Sequence, residues 1–413
     1  MLNVRSSIYL FGGLGSGDWG KLVHQSLCPS VHASFRILLV FETVLDSGFT
    51  EIGLDTADIK WMERALKLAK RGEGRTRPNP PVGAVVVKAG HVLGEGYHHR
   101  AGLPHAEVEA LGGLGKEARG ATIYVTLEPC STQGRTPPCT SLIIAKCIKR
   151  VVISVSDPNP KHRGRGLLLL RKAGIEVVEN VCSKEGKILL APFAKWVTTG
   201  KPFVTLKMGM TLDGRIADSK GTSRWITGAA SRAEVRRLRQ RSDAIMVGKN
   251  TAVLDNPSLR WSKSAHLNPK RIVIDSTGKL SPQAQVFSDG QNTIIATTQA
   301  CSDERVAEYL ESGATVWRCG RGKRVSLSIL MKKLGEVGIM HLLCEGGGEL
   351  AEQLVRSDLV DVFEFFVAPK IIGGRGTPVL GGNGWNLKNA PELKFIESRM
   401  VGGDVWIRGV RKT

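Results

Sequence analysis

Met62, Ala65, Leu66 and Ala69 return at three- and four-residue intervals. That is the stripe of an amphipathic helix, expected here after Asp58, with the first domain beginning near Thr56. Val82 to Val87 is a short apolar run of buried-strand type, and Gly90 turns it into a second strand over Val92–Tyr97. A helix is expected over His105–Leu111, a strand over Thr122–Thr126, a helix over Ser141–Cys147 and a strand over Val151–Val155. Strands alternating with helices predict a three-layer α/β domain around one mostly parallel sheet.

Thr198-Thr199-Gly200-Lys201-Pro202 reads as a linker or domain seam. Beyond it, strands are expected at Phe203–Met208, Ala244–Val247, Arg271–Ile274, Thr293–Ala296, His341–Cys344 and Val362–Val367. Helices fall between most of them, notably Ser231–Gln240 and Leu350–Val355. Two α/β domains follow, 56–199 and 200–413. Residues 1–55 show no comparable periodicity apart from Ile37 to Phe41, and Asp18, Glu42, Asp46 and Glu51 speak against an acid-poor transit peptide. A poorly ordered extension without assigned function is expected there.

Composition sharpens this picture in three places. The chain has 413 residues, 42% of them hydrophobic, enough for two ordinary cores. No run approaches the ~18 apolar residues of a membrane span, so no membrane partner is expected. The net charge of +20 suits phosphorylated ligands. The basic residues are interleaved with acids and form no aromatic-rich basic block, so a nucleic-acid partner is not expected. Eight cysteines are too sparse for a disulfide framework, which points to a reducing compartment and hence the cytoplasm.

Only Cys130 and Cys139 sit in a context that demands chemistry. His105-Ala106-Glu107 is followed by Pro129-Cys130 and then Pro138-Cys139. One His and two Cys are three zinc ligands, leaving the fourth tetrahedral position for water, whose pKa the metal lowers toward ~7. Glu107, two residues past His105, is the candidate proton carrier. Zinc-activated attack on an amidine-type ring carbon, with ammonia leaving, is the chemistry this set supports. A structural zinc would usually take four protein ligands. Eight residues separate the two cysteines, where nucleoside and tRNA deaminases typically have two. The longer loop offers Arg135 to a substrate.

The run Thr126-Leu127-Glu128-Pro129-Cys130 through Gly134-Arg135-Thr136-Pro137-Pro138-Cys139 resembles the hallmark of the bifunctional deaminase–reductase family of riboflavin biosynthesis. So do Asp157-Pro158-Asn159-Pro160 and Pro78-Asn79-Pro80. The second half has no Gly-x-Gly-x-x-Gly fingerprint. It carries Lys207 to Ala217, Ser223 to Gly228, Asp243 to Gly248, Thr251 to Pro257 and Glu345-Gly346-Gly347-Gly348 in the order of that family's reductase. The resemblance spans residues ~58 to 411. It implies a cytidine-deaminase-like domain followed by a dihydrofolate-reductase-like α/β domain, with zinc and NADPH as cofactors. It also implies a phosphorylated ribosylaminopyrimidine as substrate and a homo-oligomer.

By the same resemblance, Asn79 would bind the pyrimidine. Gly209, Trp225, Thr251, Asp255 and the turn at Gly347 would hold NADPH, and Asp255 would also orient the reduction. Ser223, Arg239, Leu259 and Glu345 would hold the ribosyl substrate, with Arg239 suited to its phosphate. The chain departs from the pattern twice. Thr132 and Gln133 stand where the family usually has His, and His or Tyr. Arg260 and Trp261 follow Leu259 directly, as though two residues were deleted, so Arg260 is the candidate for the family's substrate-binding arginine. Two rival readings are a deaminase with a vestigial second domain and a nucleic-acid base deaminase with a basic module.

Overall fold

The computed structural model describes residues 55–133, 137–288 and 292–412. The expected extension up to Leu54, and the role expected of Arg135, lie outside the described residues.

Helix α1 spans Thr56–Ala69 and starts earlier than its stripe predicts, because the Asp55 side chain caps it by accepting from Ala57 N at 2.9 Å. Asp58 is thereby drawn into the first turn, where it is buried against Arg150. Strands β1 (Gly83–Lys88), β2 (His91–Tyr97), β3 (Thr122–Leu127), β4 (Arg150–Val155) and β5 (Glu176–Val178) form a sheet ordered β2-β1-β3-β4-β5. It is mixed where a mostly parallel sheet is expected. β1 runs antiparallel to both β2 and β3, and only β3-β4-β5 are parallel. Ala89 and Gly90 both take positive φ, making a tight hairpin that lays β2 antiparallel to β1, and β1 is the strand that runs against the rest.

Helices α2 (Ala106–Gly112), α3 (Cys139–Ala145) and α4 (Arg165–Lys172) cover one face through Ala110, Leu111, Ile143 and Leu170, packed on Val86, Ile123 and Ile153. α1 covers the other face with Met62 and Leu66 on Val85, Tyr124 and Val152. Each such aliphatic side chain contributes roughly 1.5–3 kcal/mol on burial. The expected three layers are present.

The seam at Thr198–Pro202 is the tight end of a long helix. α5 runs Ser183–Thr199, Gly200 closes it at φ 69°, and β6 begins at Phe203. Trp196 Nε1 donates to Gly335 O at 2.8 Å, and Lys195 Nζ lies 2.5 Å from Asp361 Oδ2. The helix is thus fastened to the second half.

That half is built on β6 (Phe203–Thr211), β7 (Arg215–Ala217), α6 (Ala229–Arg241), β8 (Ala244–Gly248), α7 (Lys249–Asp255), β9 (Lys270–Ile274) and β10 (Thr293–Thr297). It continues with α8 (Asp303–Glu311), β11 (Thr315–Arg318), α9 (Leu327–Glu336), β12 (His341–Cys344), α10 (Gly348–Arg356), β13 (Val362–Ala368), β14 (Thr377–Pro378), β15 (Leu393–Val401) and β16 (Asp404–Arg411). Nine strands form one sheet ordered β11-β10-β9-β8-β12-β6-β13-β16-β15, parallel through β13 and antiparallel at the β16-β15 end. The pocket opens at the carboxyl ends of β6, β8 and β12, where open α/β sheets bind ligands.

Candidate active sites

In the first half, the chain brings three metal-type donors together from three elements. His105 is the residue before α2, Cys130 follows β3, and Cys139 opens α3 directly after Pro138. His105 Nδ1 lies 3.3 Å from Cys139 Sγ and 3.6 Å from Cys130 Sγ, and all three donor atoms fall within 4.8 Å of one another. Zinc bonds of ~2.0–2.3 Å in a tetrahedron require ligand separations of about 3.3–3.8 Å. The residues therefore fit zinc, with Nδ1 the imidazole ligand. Hydrogen bonding from the Cys139 side chain, then from His105 and the Cys139 N–H, lowers the Cys130 thiol from its ordinary value and favours the thiolate a metal would bind.

Glu107 is buried in the first turn of α2, 4% exposed. Burial, reinforced by the charge of Cys130, pushes its carboxyl up to about 7. A carboxyl poised there both accepts and returns a proton near neutral pH.

Asn79 follows the Arg77-Pro78 bond in the turn after α1, and its Nδ2 donates to His98 Nε2 at 3.0 Å. Pro104 O can only accept, so His98 Nδ1 carries the proton toward it at 2.9 Å. Burial lowers the His98 pKa, which keeps the ring neutral in this tautomer. The arrangement fixes the Asn79 amide with its oxygen turned away from His98. His98 also packs edge-on against His105, with ring centroids 5.4 Å apart. Sequence reasoning assigned His98 no role; its signal is a histidine at the buried end of β2. Thr132 and Gln133 are both exposed.

In the second half, a cavity of about 520 Å³ collects every reductase residue expected from the sequence. Gly209 comes from β6, Ser223 and Trp225 from the loop after β7, and Arg239 from α6. Thr251 and Asp255 come from α7, Leu259 and Arg260 from the loop beyond it, and Glu345 and Gly347 from the turn after β12. Their placement differs in detail from expectation. Arg239 grips Glu345 and also donates to Arg260 O at 3.1 Å. Leu259, at φ 53°, buries its side chain in the core and so turns its backbone to the cavity. After it the loop is braced by Asn268, whose Oδ1 accepts from Trp261 N at 3.0 Å. Arg260 Nη2 donates to Ser288 Oγ at 2.7 Å.

Ser223 Oγ donates to Asp255 Oδ1 at 2.6 Å. Lys207 Nζ lies 3.9 Å from Glu345 Oε2, and burial pulls the Lys207 pKa down. This buried lysine received no individual role from the sequence, although a cation inside the apolar run Val204 to Met208 was its signal. Burial also works on Glu345, but Arg239 and Lys207 prevail and hold its carboxyl below the ordinary range.

The cavity fits a dinucleotide phosphate. Gly347, at φ 83°, sits against Thr251 Oγ1, which a Cβ would approach to 3.3 Å. It leads into α10, whose first turn has no side-chain cap, leaving N–H groups that suit an anionic oxygen. Trp225 exposes 62% of its surface at the rim of the cavity, with the guanidinium groups of Arg224 and Arg232 over its ring.

Fold and sites together define a zinc-dependent cyclic-amidine deaminase joined to a nicotinamide-dependent reductase. Residues 55–155 match the cytidine and deoxycytidylate deaminase zinc-binding region, and residues 202–407 match the RibD C-terminal domain. The chain is 43% identical to riboflavin biosynthesis protein RibD of Escherichia coli over 363 residues, which is 84% of this chain and 98% of that protein. It is 43% identical to RibD of Aquifex aeolicus over 317 residues, 76% and 88% of the two chains. Acinetobacter baumannii RibD superposes with a TM-score of 0.78 at 33% identity, covering 86% of this chain and 99% of that one. The Thermotoga maritima diaminohydroxyphosphoribosylaminopyrimidine deaminase/5-amino-6-(5-phosphoribosylamino)uracil reductase gives 0.77 at 38%, with the same coverage. The chain belongs to the RibD family, the bifunctional deaminase–reductases of riboflavin biosynthesis, which use zinc and NADPH. No helix among the described residues is long and apolar enough to cross a membrane.

Proposed function

We propose that the substrate is 2,5-diamino-6-ribosylamino-4(3H)-pyrimidinone 5′-phosphate, deaminated in the first half and reduced in the second to 5-amino-6-ribitylaminouracil 5′-phosphate. We assign residues 56–199 to the deaminase and 200–413 to the reductase, and expect a cytoplasmic homo-oligomer. The observation carrying this reading is the His105, Cys130 and Cys139 cluster beside buried Glu107, on one chain with the Glu345 cavity.

What zinc supplies, held by His105, Cys130 and Cys139, is Lewis acidity that makes water nucleophilic at neutral pH. Glu107 takes the proton from the attacking water and passes it to the departing amino group. A C–O bond forms, a C–N bond breaks, and ammonia leaves. Asn79, fixed by His98, holds the pyrimidine edge.

In the second site bound NADPH would supply the hydride that forms the C1′–H bond of the ribosyl group as its C1′–O bond breaks. Gly209, Trp225, Thr251 and the Gly347 turn would hold that cofactor, and Asp255, bonded to Ser223 and lining the same cavity, would help orient the reduction. Ser223, Glu345, Arg260 and the Leu259 backbone hold the sugar phosphate, while Arg239 keeps Glu345 charged and aligned. Opening of the sugar leaves its ring oxygen to take a proton.

Mass analysis of products from the diaminopyrimidinone phosphate tests the reading. Without NADPH the amino-to-oxo product is expected, and with NADPH its two-electron-reduced form. Unchanged substrate without NADPH, or reduction preceding deamination, rejects it.

A further inference from the structure

The turn carrying Asn79 belongs to the deaminase half by sequence, yet one side of it rests on the reductase half. Glu73 Oε2 lies 3.6 Å from Arg241 Nε, at the end of α6. Gly74, at φ 72°, sits so close that a Cβ would come within 2.2 Å of Gln240 O. Arg77 Nη1 donates to Asp243 O at 3.1 Å. Pro78 lies beside Gly338, whose added Cβ would be 3.7 Å away. Four positions in six residues therefore touch the reductase half.

The inner side of the same turn faces the zinc site. Asn79 N bonds to Thr76 O at 2.9 Å, and its side chain reaches His98, which packs on His105. The supporting helix reaches the other site too. Arg239, two residues before Arg241 on α6, is clamped to Glu345 in the reductase cavity. Asp243, just past α6, is itself fixed by accepting from Met340 N and His341 N at 2.9 and 3.0 Å. The platform under the turn is thus held by hydrogen bonds on both sides of the end of α6.

We propose that the end of reductase helix α6 sets the position of Asn79, so that the deaminase pocket is completed across the domain seam by the Glu73–Arg241 and Arg77–Asp243 contacts. Glu73 and Arg77 are positioning residues, since they act through Asn79. The proposal rests on the reading of Asn79 as a pyrimidine ligand.

The test uses the full-length zinc enzyme. Glu73→Arg sets a cation against Arg241 and next to Arg77, pushing the turn off its platform. The deamination KM rises on the order of tenfold while kcat changes less, since displacement of a binding group by an ångström has effects of up to about a hundredfold. Zinc content and the reductase kinetics on the deaminated substrate stay at wild-type values, which separates displacement from misfolding. The double reversal E73R/R241E restores the KM to within about twofold, as a re-formed ion pair should. Asn79→Ala is run alongside. If it leaves the deamination KM unchanged, the underlying reading of Asn79 fails. If it raises the KM while Glu73→Arg does not, or if the double reversal gives no rescue, the seam does not set the pocket and the proposal is overturned.

Discussion

Arg239 holds Glu345 in a two-pronged grip, with Nε 2.5 Å from Oε1 and Nη2 3.0 Å from Oε2. Both side chains are shielded, 19% and 6% exposed. The family pattern offered Arg239 for the substrate phosphate. In the structure the flat edge of its guanidinium is already committed to a carboxylate. Together with Lys207 it holds the Glu345 carboxyl below the ordinary range.

Arg239→Lys keeps the charge and removes the fork, which a point ammonium cannot replace. The reductase kcat/KM is expected to fall ten- to a hundredfold, about 1.4–2.7 kcal/mol of lost transition-state stabilisation. Arg239→Ala leaves Glu345 short of its main partner, and removing one side of a shielded pair costs about 3–5 kcal/mol. Thermal unfolding monitored by calorimetry checks the second expectation, and NADPH oxidation at varied substrate checks the first.

Glu107→Gln removes a proton carrier and leaves the three metal donors in place. Zinc content by elemental analysis stays at one per chain, while ammonia release falls by about 10²–10⁴-fold, the usual share of general acid–base catalysis. NADPH oxidation on the already deaminated substrate is unaffected.

His341 gives the stability a pH dependence. Burial, with Arg408 and Arg241 nearby, takes its pKa down from the ordinary value to about 4. The Thr205 hydroxyl meets Nε2 at 2.9 Å, and Nδ1–H points to Arg241 O at 3.3 Å, an arrangement that suits the neutral ring. The folded state thus disfavours protonation relative to the unfolded chain, whose histidine titrates near ~6.5. The contribution is whole above about pH 6.5 and is lost progressively as pH falls from there toward about 4. Urea unfolding midpoints at several pH values between 7.5 and 5 check this. His341→Gln should decline less steeply than wild type, and parallel curves would contradict the assignment.

The layers and most strands were legible because their apolar runs are short, buried and bounded by glycine or proline, as in β1, β4, β8 and β9. β15 was not: its strand exposes Glu397, Ser398 and Arg399 at the sheet edge and has no buried run to show. The turn from β1 to β2 was legible at Gly90, but the antiparallel pairing of β1 with β3 was not, because it joins strands far apart in sequence. The zinc donors were readable because each stands beside a proline or a helix start that fixes its place. His98 and Lys207 were not assigned, since a lone histidine at a strand end and a lone lysine in a strand acquire meaning only from partners distant in sequence. The commitment of Arg239 to Glu345 joins residues 106 positions apart, beyond the reach of any local pattern.

The central claim is that His105, Cys130 and Cys139 hold the metal on which deamination depends. Its most direct test is ammonia release from the diaminopyrimidinone phosphate by the intact enzyme, after chelation and again after one equivalent of zinc. The account predicts loss of ammonia release with the metal and recovery with its return, while NADPH oxidation on the deaminated substrate continues throughout. Undiminished ammonia release from zinc-free protein would contradict it.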